Sequence, residues 1–130
     1  MSETKVIFDT SALIELFDLT KKGEAVRDVL KTNNTFFVPS IAVAELISKL
    51  KRRNFDPKKF IEKVESSTVI LSLDTEIAKR AGELHAELRK KQSDISLADC
   101  VIIAHGEVED AMVLTCDQHF KGYSKAKVLD

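Results

Sequence analysis

Two aspartates stand directly after apolar segments, at points where strands of a sheet are expected to end. Asp9 follows one such segment and Asp117 follows another, more than 100 residues later. The carboxyl ends of parallel strands meet at one edge of a sheet, where helix N-termini also point, so both carboxylates should lie on that edge. Asp99 and Glu45 are predicted near the starts of helices. Four acids from remote parts of the chain are therefore expected to converge.

Asp99 has the most unusual surroundings of the four. It is the only charged residue within 95–104, and a carboxylate in such apolar sequence is unfavourable unless it is paired or bound to a metal. The alternative is a structural role, in which Asp99 completes the S-x-x-D capping box that begins at Ser96. Asp9 and Asp117 could likewise be helix N-caps. The two interpretations predict different partners for the carboxylates.

The elements that would position these acids alternate between strands and helices. Short segments rich in β-branched and aromatic residues predict strands at 6–8, 35–38, 68–73, 111–114 and 127–129. Apolar periodicity and capping residues predict helices at 11–17, 24–31, 41–53 with Ser40 as N-cap, 58–66, a long helix capped by Asp74, and 97–108, with a short helical turn after Asp117. This repetition predicts an α/β fold, a central parallel sheet flanked by helices on both faces.

Length and composition indicate one folded domain over residues 1–130. Hydrophobic residues make up 44% and charged residues 32%, with only four Gly and two Pro, which excludes a disordered or linker-dominated chain. The net charge of -1 excludes a polycation that coats nucleic acid or membrane indiscriminately. No apolar run approaches the roughly 20 residues that span a bilayer, and residues 1–8 do not resemble a signal peptide. The two cysteines support neither a disulfide framework nor a zinc site. A cytoplasmic protein without a membrane partner is expected.

A basic segment covers residues 49–63. It contains seven cations against two acids: Lys49, Lys51, Arg52, Arg53, Lys58, Lys59 and Lys63, with Asp56 and Glu62. Such a segment could neutralise phosphates along a nucleic-acid backbone. It could equally be a solvated helix face, because Phe55 and Phe60 are the only aromatic residues nearby for stacking on bases.

Four segments of the sequence resemble the PIN-domain ribonucleases, and among them the small VapC-type toxins of toxin–antitoxin pairs. The segments are VIFDTSALI at 6–14, PSIAVAEL at 39–46, LADCVIIA at 97–104 and LTCDQHF at 114–120. They occur in order and extend over nearly the whole chain. The resemblance implies a PIN-like fold and a metal-dependent endoribonuclease that cleaves single-stranded RNA. It also implies a VapB-type antitoxin that holds the enzyme inactive.

The resemblance assigns four acids as catalytic residues and metal ligands, with two supporting hydroxyls: Asp9, Glu45, Asp99 and Asp117, with Ser11 and Thr115. Many relatives carry a further acid two residues after the fourth, where this chain has His119. Mg²⁺ or Mn²⁺ is the expected cofactor, because both prefer carboxylate and water oxygens. A bound cation can acidify a water and neutralise charge on a scissile phosphate. Asp9 and Asp99 are the acids expected to contact it directly.

The helix that carries Glu45 has an apolar stripe made of Val43, Leu46, Ile47 and Leu50. Glu45 points nearly opposite the stripe, which by itself would place it in solvent, but residues 41–47 contain no other charge. A stripe that no sheet covers needs a partner. We therefore expect association through it, with a second copy of the chain as a homodimer, with the antitoxin, or with both.

Two other functions remain open alternatives at this point. A phosphoaspartate-type phosphatase would place a second Asp two residues after Asp9, where this chain has Ser11. A catalytically inactive PIN-like module that binds RNA or protein is disfavoured by the intact acids. Nucleotide-binding enzymes are excluded, because the four glycines cannot form a P-loop or a G-x-G-x-x-G turn.

Overall fold

The computed structural model describes residues 4–130, in which five strands form one parallel sheet. The strands are β1 (Lys5–Phe8), β2 (Thr35–Pro39), β3 (Val69–Leu71), β4 (Met112–Thr115) and β5 (Ala126–Val128). Their order across the sheet is β3-β2-β1-β4-β5. Residues 1–3 lie outside the described residues. They begin the N-terminal segment that, from its sequence, is not expected to be a signal peptide.

Helices connect successive strands. They are α1 (Thr10–Asp18), α2 (Lys21–Leu30), α3 (Ser40–Arg52), α4 (Lys58–Ser67), α5 (Thr75–Leu88) and α6 (Leu97–Glu109), with a short 3-10 helix at Gln118–Phe120. The chain builds β2 and β3 on one side of β1 and then returns to build β4 and β5 on the other. Right-handed crossovers in opposite directions place helices on both faces of the sheet. The predicted α/β class and parallel sheet are confirmed.

Burial explains why the apolar segments adopt these elements. β1 is covered on both sides, and its residues Val6, Ile7 and Phe8 are buried, as expected of a central parallel strand. Helix α6 is the most enclosed helix, with every residue in 100–106 buried. It therefore fixes the position of its first turn, which carries Asp99, relative to the sheet.

Several predicted boundaries differ from the structure. Helix α2 begins at Lys21 rather than at residue 24, because Thr20 Oγ1 accepts a hydrogen bond from the Gly23 N–H and caps it. Ser40 is the first residue of α3 and not its N-cap; Pro39 takes that position without a side-chain hydrogen bond. Strand β3 is shorter than predicted, because only Val69–Leu71 pairs with β2. No helix within residues 4–130 has the length and apolarity needed to cross a membrane.

The prediction that the stripe on α3 is free for a partner is wrong. Leu46 and Leu50 are fully buried in the core of the chain itself, and Val43 and Ile47 are half-buried. Helix α3 packs against α1 and α6, which provide the cover that the stripe needs. The homodimer remains a prediction, without this stripe as its interface.

Replacing Leu46 with alanine should lower the free energy of unfolding by about 2–5 kcal/mol, because a fully buried leucine leaves a cavity when it is truncated. Urea denaturation followed by circular dichroism measures the change. Val108→Ala is the matched control, since Val108 is 51% exposed and its truncation should change stability by about 0.5 kcal/mol or less. Equal effects of the two substitutions would show that α3 does not pack as described.

Candidate metal centre

Asp9 lies in the turn between β1 and α1, at the point where the strand order reverses between β1 and β4. Its backbone N–H donates to Leu114 O over 3.0 Å, which ties the turn to β4. The side chain is buried, and its Oδ2 accepts hydrogen bonds from Ser11 Oγ at 2.9 Å and Thr115 Oγ1 at 2.8 Å. Asp9 takes the N-cap position of α1, but its side chain makes no cap hydrogen bond. A structural cap does not account for this carboxylate.

The Thr115 hydroxyl joins two of the predicted site residues. Thr115 is fully buried at the end of β4; its Oγ1 donates to Asp9 and accepts the Asp117 N–H over 2.9 Å. Ser11 Oγ lies 3.1 Å from Thr115 Oγ1 and accepts the Cys116 N–H over 2.9 Å. The two hydroxyls therefore connect the turn after β1 to the turn after β4.

Burial raises the pKa of Asp9 above its ordinary value, because desolvation disfavours the charged form. The hydrogen bonds from Thr115 and Ser11 oppose this rise, and the negative charge of Asp99 adds to it. Asp99, in the first turn of α6, thus acts electrostatically on Asp9, which directly follows β1. This electrostatic strain is the kind that a bound cation relieves.

Asp99 does form the capping box that the alternative interpretation predicts. Its Oδ2 accepts the Ser96 N–H over 3.1 Å, and its own N–H donates to Ser96 Oγ over 3.0 Å. The same Oδ2 lies 3.4 Å from His119 Nδ1. The cap and the acidic site therefore share one carboxylate, and the capping bond orients it.

Asp117 and His119 come together in the 3-10 helix after β4. Asp117 Oδ1 accepts the His119 N–H over 2.8 Å and lies 3.3 Å from His119 Nδ1. The ligand atoms of Asp99, Asp117 and His119 all lie within 4.8 Å of one another. Desolvation lowers the pKa of His119, but the carboxylates of Asp117, Asp94 and Asp99 outweigh it, so the pKa is raised overall.

Glu45 reaches the site from α3. It is half-buried, and its Oε1 accepts a hydrogen bond from Thr10 Oγ1 over 2.8 Å. Thr10 is buried and directly follows Asp9 in the chain. Within residues 4–130, neither Glu45 nor Asp9 belongs to the group of ligand atoms within 4.8 Å. The structure thus brings Asp99 and Asp117 into one cluster with His119. Asp9 and Glu45 lie outside this cluster and accept hydrogen bonds from neighbouring hydroxyl groups.

Sequence reasoning left two contributors unassigned. Thr10 positions Glu45, and its only sequence signal is its place beside Asp9. Asp94 lies in the loop before α6, where its Oδ2 contacts His119 Nε2 at 3.0 Å. Nothing in the sequence around Asp94 indicates this contact, since the two residues are 25 positions apart.

The donor set fits a divalent cation of the Mg²⁺ or Mn²⁺ type. Carboxylate oxygens approach from three elements, which suits hard cations. One nitrogen atom among them, His119 Nδ1, is shielded from solvent and makes no hydrogen bond, and a buried polar atom without a partner is unfavourable unless something binds it. The residues that could hold the ion are Asp99, Asp117 and His119, with Asp9 and Glu45 beside them.

Several concave surfaces lie outside this cluster, and two of them bear on function. A shallow groove on α3 runs from Glu45 along Ser48, Lys49 and Arg52. An apolar cavity of about 310 Å³ lies between α1, α2 and α4, where Leu13, Leu16, Phe17, Leu30, Phe60 and Val64 are among its lining residues. None of the four acids lines the apolar cavity, so it is not the acidic site.

Comparison with known proteins identifies the family of the chain and structures that share its fold. Residues 6–126 match the PIN domain family. No curated protein gives a match. The fold is similar to VapBC2 from Rickettsia felis bound to a promoter DNA fragment, with a TM-score of 0.77, 21% identity, and coverage of 98% of this chain and 100% of that one.

Two further solved structures share the fold. VapBC-1 from nontypeable Haemophilus influenzae has a TM-score of 0.74 and 22% identity, covering 98% of both chains. Mycobacterium tuberculosis VapC20, a toxin that cleaves the sarcin–ricin loop, has a TM-score of 0.70 and 15% identity, covering 92% of this chain and 95% of that one. The family match extends over most of the sequence and includes all four acids. The chain belongs to the PIN domain family.

Proposed function

We propose that the protein is a metal-dependent endoribonuclease that cleaves single-stranded RNA and uses Mg²⁺ or Mn²⁺. The observation that carries the proposal is the cluster of Asp99, Asp117 and His119, with the buried Asp9 beside it at the point where the strand order reverses, in a chain of the PIN domain family. Ligands of parallel α/β sheets bind at such points. One structural neighbour, VapC20, cleaves the sarcin–ricin loop, which supports RNA as the substrate class.

The residues of the chain have separable roles in this proposal. Asp99 and Asp117 would hold the cation together with Asp9, which Thr115 and Ser11 keep in place by hydrogen bonds. When bound, the cation would supply charge neutralisation at the scissile phosphate and a more acidic water. Thr10 fixes one carboxylate oxygen of Glu45, and Oε2 has no partner among the described residues, so it is available to accept a proton.

The proposed RNA path follows the groove on α3 beside Glu45. Lys49 and Arg52 line it, and neither forms an ion pair within the described part of the chain. Arg53 is different, because it pairs with Asp18 at 2.7 Å and lies over Phe55. The basic segment thus offers, next to the site, two cations without ion pairs to other described residues, and these suit a phosphate backbone.

Replacing Lys49 and Arg52 together with alanine should weaken RNA binding and lower its salt dependence, by about 0.7 in the slope of log K against log salt for each lost phosphate contact. Fluorescence anisotropy with a labelled single strand measures this in an Asp99→Asn background, so that the RNA is not cut. Lys79→Ala, at an exposed position on α5, is the control. An unchanged slope in the double variant would remove the RNA path from this groove.

We further propose that the chain is the toxin of a type II toxin–antitoxin pair. The solved structures with this fold include complexes of toxins with antitoxins, and the apolar cavity between α1, α2 and α4, with Leu19 69% exposed beside it, is a surface suited to an apolar partner segment. A VapB-type antitoxin is the proposed partner. Copurification with the product of the adjacent reading frame, and loss of RNA cleavage in that complex, test this.

The remaining assignments are proposals of the same kind. We propose a single domain over residues 1–130, a homodimer and a cytoplasmic location; the two free cysteines, Cys100 and Cys116, are consistent with a reducing compartment.

The nuclease activity itself is tested with a labelled unstructured RNA, incubated with the protein in Mg²⁺, in Mn²⁺ and in EDTA. Cleavage that EDTA abolishes supports the proposal, and absence of cleavage with both metals contradicts it.

A further inference from the structure

We propose that His119 is itself a metal ligand through Nδ1 and that Asp94 is the residue that orients its ring. This inference rests on the proposed metal-dependent function and deepens it by naming the donor set. The site would then combine the carboxylates of Asp99 and Asp117, with that of Asp9 beside them, and one imidazole nitrogen. A donor set of this kind favours Mn²⁺ over Mg²⁺.

The first observation is the position of Nδ1. It lies 3.4 Å from Asp99 Oδ2 and 3.3 Å from Asp117 Oδ1. Metal–ligand bonds of about 2.1 Å place two ligands of one ion roughly 3–4 Å apart. The three ligand atoms therefore have the spacing of a shared ion.

Those contacts are not hydrogen bonds. Nδ1 is shielded from solvent and has no hydrogen-bond partner, although two carboxylates lie close to it. A histidine that served only as a counterion would donate a proton from Nδ1 to one of the carboxylates. The geometry instead leaves Nδ1 facing both oxygen atoms and bonded to neither.

The second, independent observation is the contact on the far side of the ring. His119 Nε2 lies 3.0 Å from Asp94 Oδ2. A carboxylate can only accept here, so Nε2 carries the proton, and in the neutral ring Nδ1 then has the lone pair. Histidines that bind metals characteristically donate their other ring N–H to a carboxylate in this way.

The main chain fixes the ring position further. Gln92 Nε2 donates to His119 O over 3.1 Å, and the His119 N–H donates to Asp117 Oδ1 over 2.8 Å. Gln92 and Asp94 both precede α6, whose first turn carries Asp99. The loop before α6 and the 3-10 helix after β4 are thus held together at the site.

Pulsed electron paramagnetic resonance of bound Mn²⁺ tests the inference, because nitrogen ligands modulate the Mn²⁺ signal and oxygen ligands do not. We expect modulation by one imidazole ¹⁴N in the parent protein and its loss in His119→Gln. His85→Gln is the matched control, since His85 lies on α5 and takes no part in the site. Its signal should equal that of the parent.

Two further variants separate a ligand from a merely structural histidine. His119→Asp should keep Mn²⁺ bound, lose the nitrogen modulation and reduce the preference for Mn²⁺ over Mg²⁺ measured by calorimetry. Asp94→Asn should keep the nitrogen modulation and weaken Mn²⁺ binding by about 10-fold, the usual effect of removing a carboxylate behind a histidine ligand. His119→Asp also supplies the test if His119→Gln does not fold.

The outcomes distinguish this inference from the proposed function. If the protein binds Mn²⁺ and cleaves RNA but shows no nitrogen modulation, or if the modulation persists in His119→Gln or His119→Asp, His119 is not a ligand and the nuclease proposal stands. If the parent protein binds neither Mn²⁺ nor Mg²⁺ and does not cleave RNA, both fall together.

Discussion

Substitution of asparagine for Asp9 or for Asp99 should slow RNA cleavage by about 100- to 1000-fold and leave the fold intact. Asparagine keeps the shape of the side chain but removes the charge that binds the cation, and the loss of one preorganised electrostatic contact at a reacting centre typically costs about 100- to 1000-fold. The measurement is the single-turnover rate with labelled RNA and excess protein. The circular dichroism spectrum checks the fold of each variant.

The two substitutions should differ from ordinary buried-site mutations in their effect on stability. In Asp9→Asn, the amide oxygen can still accept from Ser11 and Thr115, while the buried charge disappears. The metal-free variant should therefore be at least as stable as the parent at neutral pH, since burial already disfavours the charged form of Asp9. In Asp99→Asn, the amide oxygen can still accept the Ser96 N–H and so preserve the cap.

Glu83→Gln is the control for both variants, because Glu83 is exposed on α5, away from the site. It should cleave RNA at the parental rate. Cleavage by Asp99→Asn at that same rate, with contaminating nucleases excluded by a second purification, would contradict the assignment of the acidic site.

Protons and divalent cations should each stabilise the metal-free protein at neutral pH. The folded pKa of Asp9 is raised, so the native state binds a proton more tightly than the unfolded chain, whose pKa is roughly 4. The charged form of Asp9 lowers the free energy of unfolding at neutral pH. This loss is therefore regained as the pH falls through the folded pKa of Asp9 toward about 4. The raised pKa of His119 acts in the same direction. Protonated His119 stabilises the folded state below about pH 6.5, and this stabilisation is lost as the pH rises through the pKa of His119 in the folded protein.

A cation should relieve the same repulsion without acid. At 100 times its Kd, it adds about 2.7 kcal/mol to the free energy of unfolding, which corresponds to a rise in Tm of roughly 10 °C for a domain of this size. The gain should shrink toward pH 5, because protonated ligands bind metal poorly. Thermal melts in EDTA and in Mn²⁺, at pH 5 and pH 7.5, measure both effects.

The Asp9→Asn, Asp99→Asn double variant is the control for these melts. It lacks two of the charges that repel one another, so its stability should depend less on pH and on metal. If Mn²⁺ leaves the Tm of the parent unchanged at pH 7.5, and acidification destabilises parent and double variant equally in EDTA, the acids do not form a shared site.

The sequence was sufficient to predict the fold class, and the reason lies in β1 and α6. A β-branched segment that ends at an acid is compatible with few structures, and so is a long apolar stretch interrupted by Asp99. The structure has the expected strand at the first place and the expected helix at the second. Asp9 and Asp117 could be placed near one another because two strand ends at one edge of a parallel sheet must lie close together. Ser11 and Thr115 are indicated only by the resemblance to PIN-domain ribonucleases, and the structure has both hydroxyls bonded to Asp9.

The errors arise where an outcome depends on packing. Periodicity identifies the residues of α3 that share a face, but what covers Leu46 and Leu50 depends on how α1 and α6 pack, and that is a long-range property. The contact between Asp94 and His119 is of the same kind, since it joins a loop to a 3-10 helix with no periodic pattern in either. Asp99 shows that two sequence interpretations need not exclude each other, because the carboxylate that forms the cap also lies 3.4 Å from His119 Nδ1.

The hydrogen bond between Thr115 and Asp9 has a consequence for synthesis on the ribosome. It joins residues 106 positions apart, and β1 pairs with β4 only after residues 112–115 have been made. Before that, a nascent chain has Asp9 and Glu45 but neither the strand end that fixes Asp9 nor the cluster of Asp117 and His119. The acidic cluster can therefore form only after residues 112–119 have been made, so that a shorter nascent chain lacks it.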